Sequence, residues 1–242
     1  MRRVIIILLF LVTAGCAKEN RWDCFKSYGE KTTESRDLGE FDSVFLESNL
    51  DVEYRYSSDF RVEVVFGDNI IEHIKTEVEN GELKISNETT CNWVRDLSKS
   101  PLVKIYAPSL SYMENRCSGD ITFVDTLHSD EFIYEQWESN GVANFLVNNE
   151  LTAIVMHVGY CDVTVSGSTS QAELYSASVG RLRARNLISP VTLSNNSSIQ
   201  DMELYAADYL YAEINLNGDI KYAGEPEVID KNISGEGKLA PL

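Results

Sequence analysis

A unit of about twenty residues recurs between residues 111 and 224, and this repeat constrains the fold more than any other feature of the chain. The stretch CSGDITF, which begins at Cys117, is echoed by LNGDIKY, which begins at Leu216. Turn positions follow one another in steps of 22, 20, 19, 20 and 18 residues, at Gly119, Gly141, Cys161, Gly180, Gln200 and Gly218. The residues two and four positions after each turn are apolar or aromatic: Ile121 and Phe123, Ala143 and Phe145, Val163 and Val165, Leu182 and Ala184, Met202 and Leu204, Ile220 and Tyr222. The residue between the members of each pair is polar: Thr122, Asn144, Thr164, Arg183, Glu203 and Lys221.

This pattern predicts an all-β fold, a parallel β-solenoid of about six coils. Side chains alternate between the two faces of a strand, so each apolar pair shares one face and the polar residue points the other way. One coil cannot bury its apolar face alone, but stacked coils share a continuous core. Glycine suits the corners because a tight turn needs positive φ or close backbone approach. An antiparallel sandwich also contains many short strands, but the constant phase over six successive turns favours the solenoid.

The rest of the chain divides into segments that differ in their pattern of polar and apolar residues. Residues 16–37 are polar and indicate a tether and a lead-in segment. Residues 38–110 alternate apolar and polar side chains in several runs, which predicts an N-terminal region of β-strands. Asn80-Gly81 between two alternating runs predicts a hairpin with a type I′ turn. Residues 111–224 hold the coils, and we expect 225–242 to form a C-terminal tail.

The N-terminus resembles a bacterial lipoprotein leader. Two arginines, the apolar run VIIILLFLV and then TAGC give residues 1–15 the form of a signal peptide, with Cys16 as the lipidated first residue of the mature chain. The apolar run is too short to span a bilayer. An ordinary secreted protein with a coincidental cysteine is the alternative. We therefore expect a membrane contact made by an N-terminal acyl anchor, in the cell envelope.

The charge of the chain argues against nucleic acid as a partner. The formal net charge is −17 and becomes −19 once the two arginines of the leader are removed. Such a surface repels phosphate backbones. Electrostatic adsorption to anionic lipid is disfavoured for the same reason, which leaves the acyl anchor as the expected membrane contact.

Four cysteines besides Cys16 allow three disulfide pairings in an exported protein. Cys117 and Cys161 fall near corners two coils apart, roughly 10 Å, which exceeds the Cα separation of about 7 Å that a disulfide tolerates. Cys24 and Cys91 lie outside the regular coils, in polar segments that a covalent link would hold in place. We prefer the pair Cys24–Cys91.

Catalytic chemistry finds no support in the sequence. The 38 acidic residues include no pair singled out by spacing, and no nucleophile elbow, phosphate loop or His-Glu-x-x-His motif is present. Asp120, Asp162 and Asp219 near the corners could offer oxygen ligands to calcium, but the nonapeptide calcium repeat is absent. We therefore predict no catalytic, cofactor-binding or metal-binding residues.

Aromatic side chains are the remaining candidates for ligand binding, because exposed rings on a flat sheet can stack on sugars or on a protein partner. Ordinary packing in a thin solenoid is the alternative. Tyr134 and Trp137 lie three apart on one strand, so they point to opposite faces and one of them is expected in the core. The candidates are Tyr134, Trp137, Tyr205, Tyr209 and Tyr211.

Segments along most of the mature chain resemble the bacterial family described as putative auto-transporter adhesin, head GIN domain. The resemblance covers about residues 38–238 and is carried by RDLGEFDSVFLESNLDVEYRY, VEVVFGDNIIEHIKTEVENGELKIS, CNWVRD, VKIYAPSLSYMENRCSGDI and LNGDIKYAGEPEVIDKNISGEGKL. It implies a right-handed β-solenoid in lipid-anchored or secreted envelope proteins, mostly of Bacteroidetes, without established enzymatic activity. CFKSYG with CNWVRD resembles a subgroup that has both cysteines of the preferred pair. The middle coils depart from the Ser-Gly-Ser-Gly-Asp repeat of many relatives.

Together these features predict a non-enzymatic outer-membrane lipoprotein of the cell envelope that acts through its surface, as an adhesin-like interaction module. We expect a glycan or a protein as the ligand on the solenoid surface. A β-helical polysaccharide-processing enzyme is the alternative from another class, since parallel β-helices also host lyases and hydrolases. A structural or signalling component of the envelope is the third.

Overall fold

The computed structural model describes residues 26–89 and 100–242. Their strands all join one continuous sheet that is wound into a solenoid. A 3₁₀ turn covers Ile71–His73. The strands are β1 Lys31–Asp37, β2 Ser43–Ser48, β3 Asp51–Tyr56, β4 Arg61–Gly67, β5 Ile74–Glu79, β6 Glu82–Asn87, β7 Leu102–Ala107, β8 Tyr112–Cys117, β9 Ile121–Phe123, β10 Leu127–Ser139, β11 Val142–Gly159, β12 Asp162–Ser176, β13 Leu182–Ile188, β14 Val191–Asn196, β15 Met202–Tyr205, β16 Tyr209–Ile214, β17 Ile220–Ala223, β18 Val228–Ile233 and β19 Leu239–Pro241.

The coils stack as two principal parallel sheets. Sheet 1 contains β2, β8, the C-terminal halves of β10, β11 and β12, then β14, β16 and β18. Sheet 2 contains β3, β9, the N-terminal halves of β11 and β12, then β13, β15, β17 and β19. Every one of these pairings is parallel, which confirms the predicted β-solenoid and rules out the antiparallel sandwich.

The register of sheet 2 follows the repeat in the sequence. Position two after each corner pairs with the same position of the next coil, as in Ile121 with Ala143 and Met202 with Ile220. The interior column is also confirmed, with exposures of 5, 2, 0 and 0% at Phe123, Phe145, Val165 and Leu204. Apolar side chains thus meet inside the coils because local alternation and the twenty-residue period agree.

The N-terminal region joins the stack from a distance. Strands β2 and β3 pair in parallel with β8 and β9, although 69 residues separate Val44 from its partner Met113. Strands β6 and β7 add a further rung on the other side of β2 and β3. Antiparallel strands then cover this rung: β5 pairs with β6 through the Asn80-Gly81 turn, and β4 and β1 follow β7. Asn80 and Gly81 have φ of 53° and 82°, as the predicted type I′ turn requires.

The predicted C-terminal tail is wrong. Residues 225–242 contain β18 and β19, which pair in parallel with β16 and β17 and form one more coil. The sequence of this coil misled the prediction because its side chains are polar or exposed: every residue of Val228–Ile233 is exposed. Backbone pairing with the previous coil positions β18, and Leu239 of β19 packs partly buried against the core.

The corners explain the echo between CSGDITF and LNGDIKY. A Cβ on Gly119 would lie 2.1 Å from the carbonyl oxygen of Leu50, and one on Gly218 would lie 2.1 Å from that of Gln200. Neither glycine has positive φ, so close approach between coils is the reason for glycine here. The aspartate that follows accepts a backbone hydrogen bond from the next coil. Asp120 Oδ1 accepts from the N–H of Val142 at 2.9 Å, and Asp219 Oδ1 accepts from that of Lys238 at 2.8 Å.

Two more aspartates bond to the coil that follows them, Asp162 with the N–H of Arg181 and Asp201 with the N–H of Asp219. These carboxylates therefore satisfy backbone donors at corners, where the regular β ladder is interrupted. Within the described ranges, no group of three histidine, cysteine, aspartate or glutamate side chains could hold a metal ion.

Two cations on the outer side of sheet 2 pair with corner aspartates and not with their in-register neighbour. Arg183, Glu203 and Lys221 are in register on adjacent coils. However, Arg183 Nη1 lies 3.2 Å from Asp162 Oδ2, and Lys221 Nζ lies 2.6 Å from Asp201 Oδ2. The corner aspartates compete for the cations because their carboxylates already lie between the coils.

We expect acid to weaken the contribution of Asp201. Its hydrogen bond with Lys221 holds the pKa of this carboxyl below its usual value, against the opposing effect of partial burial. A lowered folded-state pKa means that the stabilisation is present above the unfolded value of about 3.9 and is lost as the pH falls through the folded value. Asp201→Asn should therefore lower the urea midpoint slightly at pH 7 and less at pH 3, whereas Asp130→Asn, at an exposed position, should change neither. An equal loss at both pH values would contradict this assignment.

The cysteines separate into two groups. Cys117 and Cys161 are both free and buried. Cys16, Cys24 and Cys91 lie outside the described residues, as does the leader, so the lipid anchor and the Cys24–Cys91 pair stay predictions. No helix in the described ranges is both long enough and apolar enough to cross a bilayer.

Candidate functional site

The five predicted aromatic side chains do not form one group. Tyr134 lies in the core with an exposure of 0%, and its hydroxyl accepts a hydrogen bond from Asn115 Nδ2 at 2.8 Å. Trp137 points outward from the same strand, so Tyr134 is the core member of that pair. Tyr209 and Tyr211 also point outward from sheet 1, whereas Tyr205 lies on the outer side of sheet 2. Trp137, Tyr209 and Tyr211 thus share one surface, which excludes Tyr134 and Tyr205.

That surface is the outer side of sheet 1, which we name the aromatic face. The outward positions of a half-solvated sheet are usually polar, but along this sheet about half of them are apolar or aromatic, and most of these are half-buried. Its apolar members are Phe45, Tyr112, Ile133, Trp137, Leu151, Ala153, Val155, Tyr175, Val191, Leu193, Tyr209 and Tyr211. On the outer side of sheet 2 the corresponding positions are mostly polar: Glu53, Thr122, Asn144, Thr164, Arg183, Glu203 and Lys221. The two outer sides of the solenoid are therefore chemically different.

Sequence reasoning missed the extent of the aromatic face. The outward positions that the repeat predicts belong to the strand that follows each corner, and that strand lies in sheet 2, where these positions are polar. The signal lay in the strand before each corner, in stretches such as FIYEQWE, LTAIVMHV and YLYAEI, where residues on both faces are apolar. A run that is apolar on both faces also fits a fully buried strand. Only the coil geometry shows that one of these faces is at the surface.

The middle of the aromatic face contains a shallow open groove of about 280 Å³. Val155 and Leu193 provide an apolar floor, and Ala153 creates a depression because its side chain is small and lies between Ile133 and Glu173 in the register. The groove is lined by Ala153, Val155, Glu173, Leu174, Tyr175, Leu193, Ser194, Asn195 and Tyr211. Tyr175 and Tyr211 come from coils on either side of Leu193, so two aromatic rings flank one apolar floor.

Some polar groups of the groove already have hydrogen-bond partners within the protein, and others do not. Glu173 Oε1 accepts a hydrogen bond from Gln171 Nε2 at 2.6 Å. Asn195 Nδ2 donates to Glu213 Oε2 at 3.0 Å, which fixes the amide at the rim. Among the described residues, Glu173 Oε2 and the hydroxyls of Tyr175 and Tyr211 have no hydrogen-bond partner. These three groups can bond to a ligand without breaking a contact within the protein.

A second aromatic feature lies toward the N-terminal end of the face. The rings of Trp137 and His157 stack with centroids 3.8 Å apart and an interplanar angle of 19°. Glu135 Oε2 accepts a hydrogen bond from Trp137 Nε1 at 3.3 Å and lies 3.9 Å from His157 Nε2. The guanidinium carbon of Arg116 is 5.8 Å from the Trp137 ring centroid. A break in the β10–β11 register near Trp137 lets His157 occupy the extra position beside this ring.

Carboxylates outnumber cations on the aromatic face. Glu114, Glu135, Glu173, Glu213 and Asp230 face outward from sheet 1. Burial raises the pKa of the Tyr112 phenol, and the charges of Glu135 and Glu114 raise it further. That phenol therefore stays neutral at physiological pH. The aromatic face therefore has apolar rings with carboxylates around them.

The buried thiols are poor candidates for chemistry. Burial raises the pKa of Cys117 to about 12 and that of Cys161 to about 11. Since the thiolate is the nucleophile and the metal ligand, these cysteines are unreactive at neutral pH. The hydroxyl of Tyr134 lies 4.0 Å from Cys161 Sγ, and Asn115 joins the same buried cluster. This cluster is a packing feature of the core.

Several solved structures have the same fold. A putative adhesin from Bacteroides fragilis NCTC 9343 superposes with a TM-score of 0.82 at 20% identity, covering 88% of this chain and 97% of that one. A putative adhesin from Parabacteroides distasonis ATCC 8503 gives 0.69 at 17% identity, with coverage of 88% and 98%. A putative lipid binding protein from the same organism gives 0.67 at 19% identity, with coverage of 88% and 97%. A comparison with curated protein sequences gave no match.

At these identities the structural likeness establishes the fold alone. The sequence provides the family, because one family matches residues 40–226, which include all the strands from β2 to β17. That range contains the whole groove and the Trp137–His157 stack. The chain belongs to the family described as putative auto-transporter adhesin, head GIN domain.

Proposed function

We propose that this protein is a non-enzymatic, lipid-anchored module of the outer membrane that binds a ligand through its aromatic face. The observation that carries the proposal is the chemical difference between the two outer sides of the solenoid. Large apolar faces on a soluble β-protein are rarely left without a role. Here such a face runs across several coils, while the equivalent positions of sheet 2 are mostly polar. An adhesin-like function needs this kind of broad, rigid contact surface.

The envelope location rests on two supports. The family is described as an adhesin family, which implies a protein of the cell surface or envelope. The N-terminal leader, which ends in TAGC, supports export and lipid anchoring, and Cys16 is the residue that would be acylated. An acyl anchor leaves the solenoid outside the bilayer, so the aromatic face stays free for a partner. A glycan or a protein could be that partner, and one structural relative has a name that refers to lipid.

The absence of enzymatic function is part of the same proposal. It is supported by the arrangement of the described carboxylates, several of which accept backbone or side-chain hydrogen bonds at corners. Acid–base catalysis needs a group that is poised and placed against a substrate. The groove offers rings and one carboxylate, which suits binding.

The proposal is tested with the full-length chain expressed in a bacterium that processes lipoproteins. We expect the protein to take up radiolabelled palmitate and Cys16→Ala to lose the label. Cells that display Trp137→Ala with Tyr211→Ala should adhere to a glycan- or protein-coated surface at least about tenfold less than wild-type cells. Tyr205→Ala is the matched control, because it removes an outward tyrosine from sheet 2 and should leave adhesion unchanged.

Two results would overturn the proposed function. One is equal adhesion of the double variant and the wild type at equal amounts of folded protein on the cells, which would show that the aromatic face is not used. The other is cleavage of a polysaccharide with turnover by the purified protein, which would make it an enzyme.

A further inference from the structure

We propose that the groove between Tyr175 and Tyr211 binds one sugar ring of a neutral glycan chain that lies along the solenoid axis. This inference rests on the proposed function and names the ligand of the same face. Its ligand class follows from three properties of the described residues, which are the shape of the groove, its unbonded polar groups and its charge.

The shape fits a ring that is apolar on its faces and polar at its edge. A pyranose has C–H groups on its faces and hydroxyls around its circumference, so it can stack on an aromatic ring while its edge stays polar. The groove places the rings of Tyr175 and Tyr211 on either side of Leu193. A volume of about 280 Å³ lies just below the range typical of small-molecule pockets. It therefore suits a single ring of a longer ligand better than a complete drug-sized molecule.

The unbonded polar groups fit the edge of a sugar. Glu173 Oε2 can accept hydrogen bonds from hydroxyls, while Gln171 holds the other oxygen of the same carboxylate at 2.6 Å. The hydroxyls of Tyr175 and Tyr211 can each donate or accept. An acyl chain would leave these groups buried without partners, which is costly. Hydrogen-bond capacity at the groove thus disfavours a lipid tail and favours a polyhydroxylated ligand.

The negative charge of the aromatic face disfavours anionic glycans, and it also disfavours a dimer in which two copies of the chain meet through this face. Glu173, Glu213 and Asp230 face outward near the groove, and the chain has a net charge of −17. Sulfated or uronic-acid glycans and anionic headgroups would be repelled. A symmetric face-to-face dimer would bring these carboxylates together, which opposes self-association. A neutral glycan is compatible with the acids, since they act as hydrogen-bond acceptors.

The direction of the chain follows from the coils. Equivalent outward positions recur once per coil at about 4.8 Å along the axis, as in the row from Ile133 through Ala153, Glu173 and Leu193 to Tyr211. On the same face, Trp137 lies two coils from Tyr175, and His157 lies one coil away with its ring centroid 5.9 Å from that of Tyr175. An extended chain along the axis can therefore contact both aromatic platforms, and a chain across the coils cannot.

The test uses the full mature chain and isothermal titration calorimetry. The probes are neutral hexasaccharides of glucose, mannose and N-acetylglucosamine, heparin as the anionic glycan, and vesicles of phosphatidylethanolamine with phosphatidylglycerol. We expect binding to at least one neutral hexasaccharide and none to heparin or to the vesicles. Tyr175→Ala and Tyr211→Ala should each weaken that binding about tenfold, the size of one aromatic stacking contact. Tyr211→Phe should keep most of the affinity, because the ring remains, and Tyr205→Ala should bind as the wild type does.

The outcomes separate this inference from the proposed function. Binding of vesicles, heparin or a protein that depends on Tyr175 and Tyr211, without any binding of a neutral hexasaccharide, would overturn the glycan assignment and leave the binding face intact. Concentration-dependent dimerisation in sedimentation that Tyr211→Ala abolishes would overturn it in favour of a second copy. Hexasaccharide binding that is equal in Tyr175→Ala, Tyr211→Ala and the wild type would overturn the assigned groove. Circular dichroism and thermal unfolding of each variant confirm that the comparison is made between folded proteins.

Discussion

Replacing Phe145 by alanine is expected to lower the free energy of unfolding by about 4 kcal/mol. Phe145 is 2% exposed and lies at the centre of the interior column. Its ring is 4.8 Å from the ring centroid of Phe123, 5.5 Å from that of Phe132 and 4.7 Å from that of Tyr134. Alanine would leave a cavity among three rings on neighbouring coils, and a rigid stack of coils cannot collapse to fill it. Urea unfolding followed by near-ultraviolet circular dichroism measures the effect.

The control for this experiment is Tyr160→Ala. This substitution also removes an aromatic ring, but the side chain of Tyr160 is 74% exposed. The change in the free energy of unfolding should therefore stay within about 0.5 kcal/mol. A Phe145→Ala protein as stable as Tyr160→Ala would contradict a core in which the rings of successive coils pack on one another. Such a result would remove the physical basis of the stacked architecture.

Replacing Gly180 by alanine is expected to destabilise the protein by about 3 kcal/mol, although only one methyl group is added. The new Cβ would lie 1.9 Å from the carbonyl oxygen of Cys161 and 2.7 Å from its carbonyl carbon. Both are backbone atoms of the adjacent coil, so no side chain can move aside. The coils would have to separate at this corner, where Ser178 Oγ also accepts a hydrogen bond from the N–H of Gly180 at 3.1 Å. The midpoint of urea unfolding and the melting temperature should both fall.

Gly39→Ala is the matched control for the corner. No atom lies within 4 Å of a Cβ built on Gly39, and its φ is not in the left-handed region. This substitution should be neutral or slightly stabilising, because alanine restricts the unfolded chain. If both glycine variants unfold at the same urea concentration, close approach between coils is not the reason for glycine at the corners.

The two variants examine different parts of the same repeat. Phe145 belongs to the apolar column, which any chain of this period needs for its core. Gly180 belongs to the corner, where backbone atoms of two coils meet. In a solenoid each coil contacts its neighbours only, so damage at either position is expected to weaken the local interfaces first.

The candidate site was predicted only in part, and the reason is geometric. The sequence predicts Trp137, Tyr209 and Tyr211 as surface aromatics, and these three do lie on one outer surface, but it does not predict Tyr175 and Glu173. Tyr175 in AELYSA resembles an ordinary strand tyrosine, and nothing near it in sequence shows that Leu193 and Tyr211 will lie beside it. Tyr134 was included with Trp137 because alternation separates their faces without saying which face is inside.

Alternation and period are local properties, so the sequence by itself determined the stacked coils, the inward column from Phe123 to Leu204 and the glycine at four of the six corners. Tertiary structure alone decided which distant strands became neighbours. It brought Val44 beside Met113 across 69 residues, closed the N-terminal end with antiparallel strands and made residues 228–241 a coil. The pairing of distant strands depends on backbone hydrogen bonds that every residue type except proline can make in full, and side-chain patterns therefore leave it open. The aromatic face is a consequence of that pairing, because its residues come from different coils and meet only when the coils are stacked.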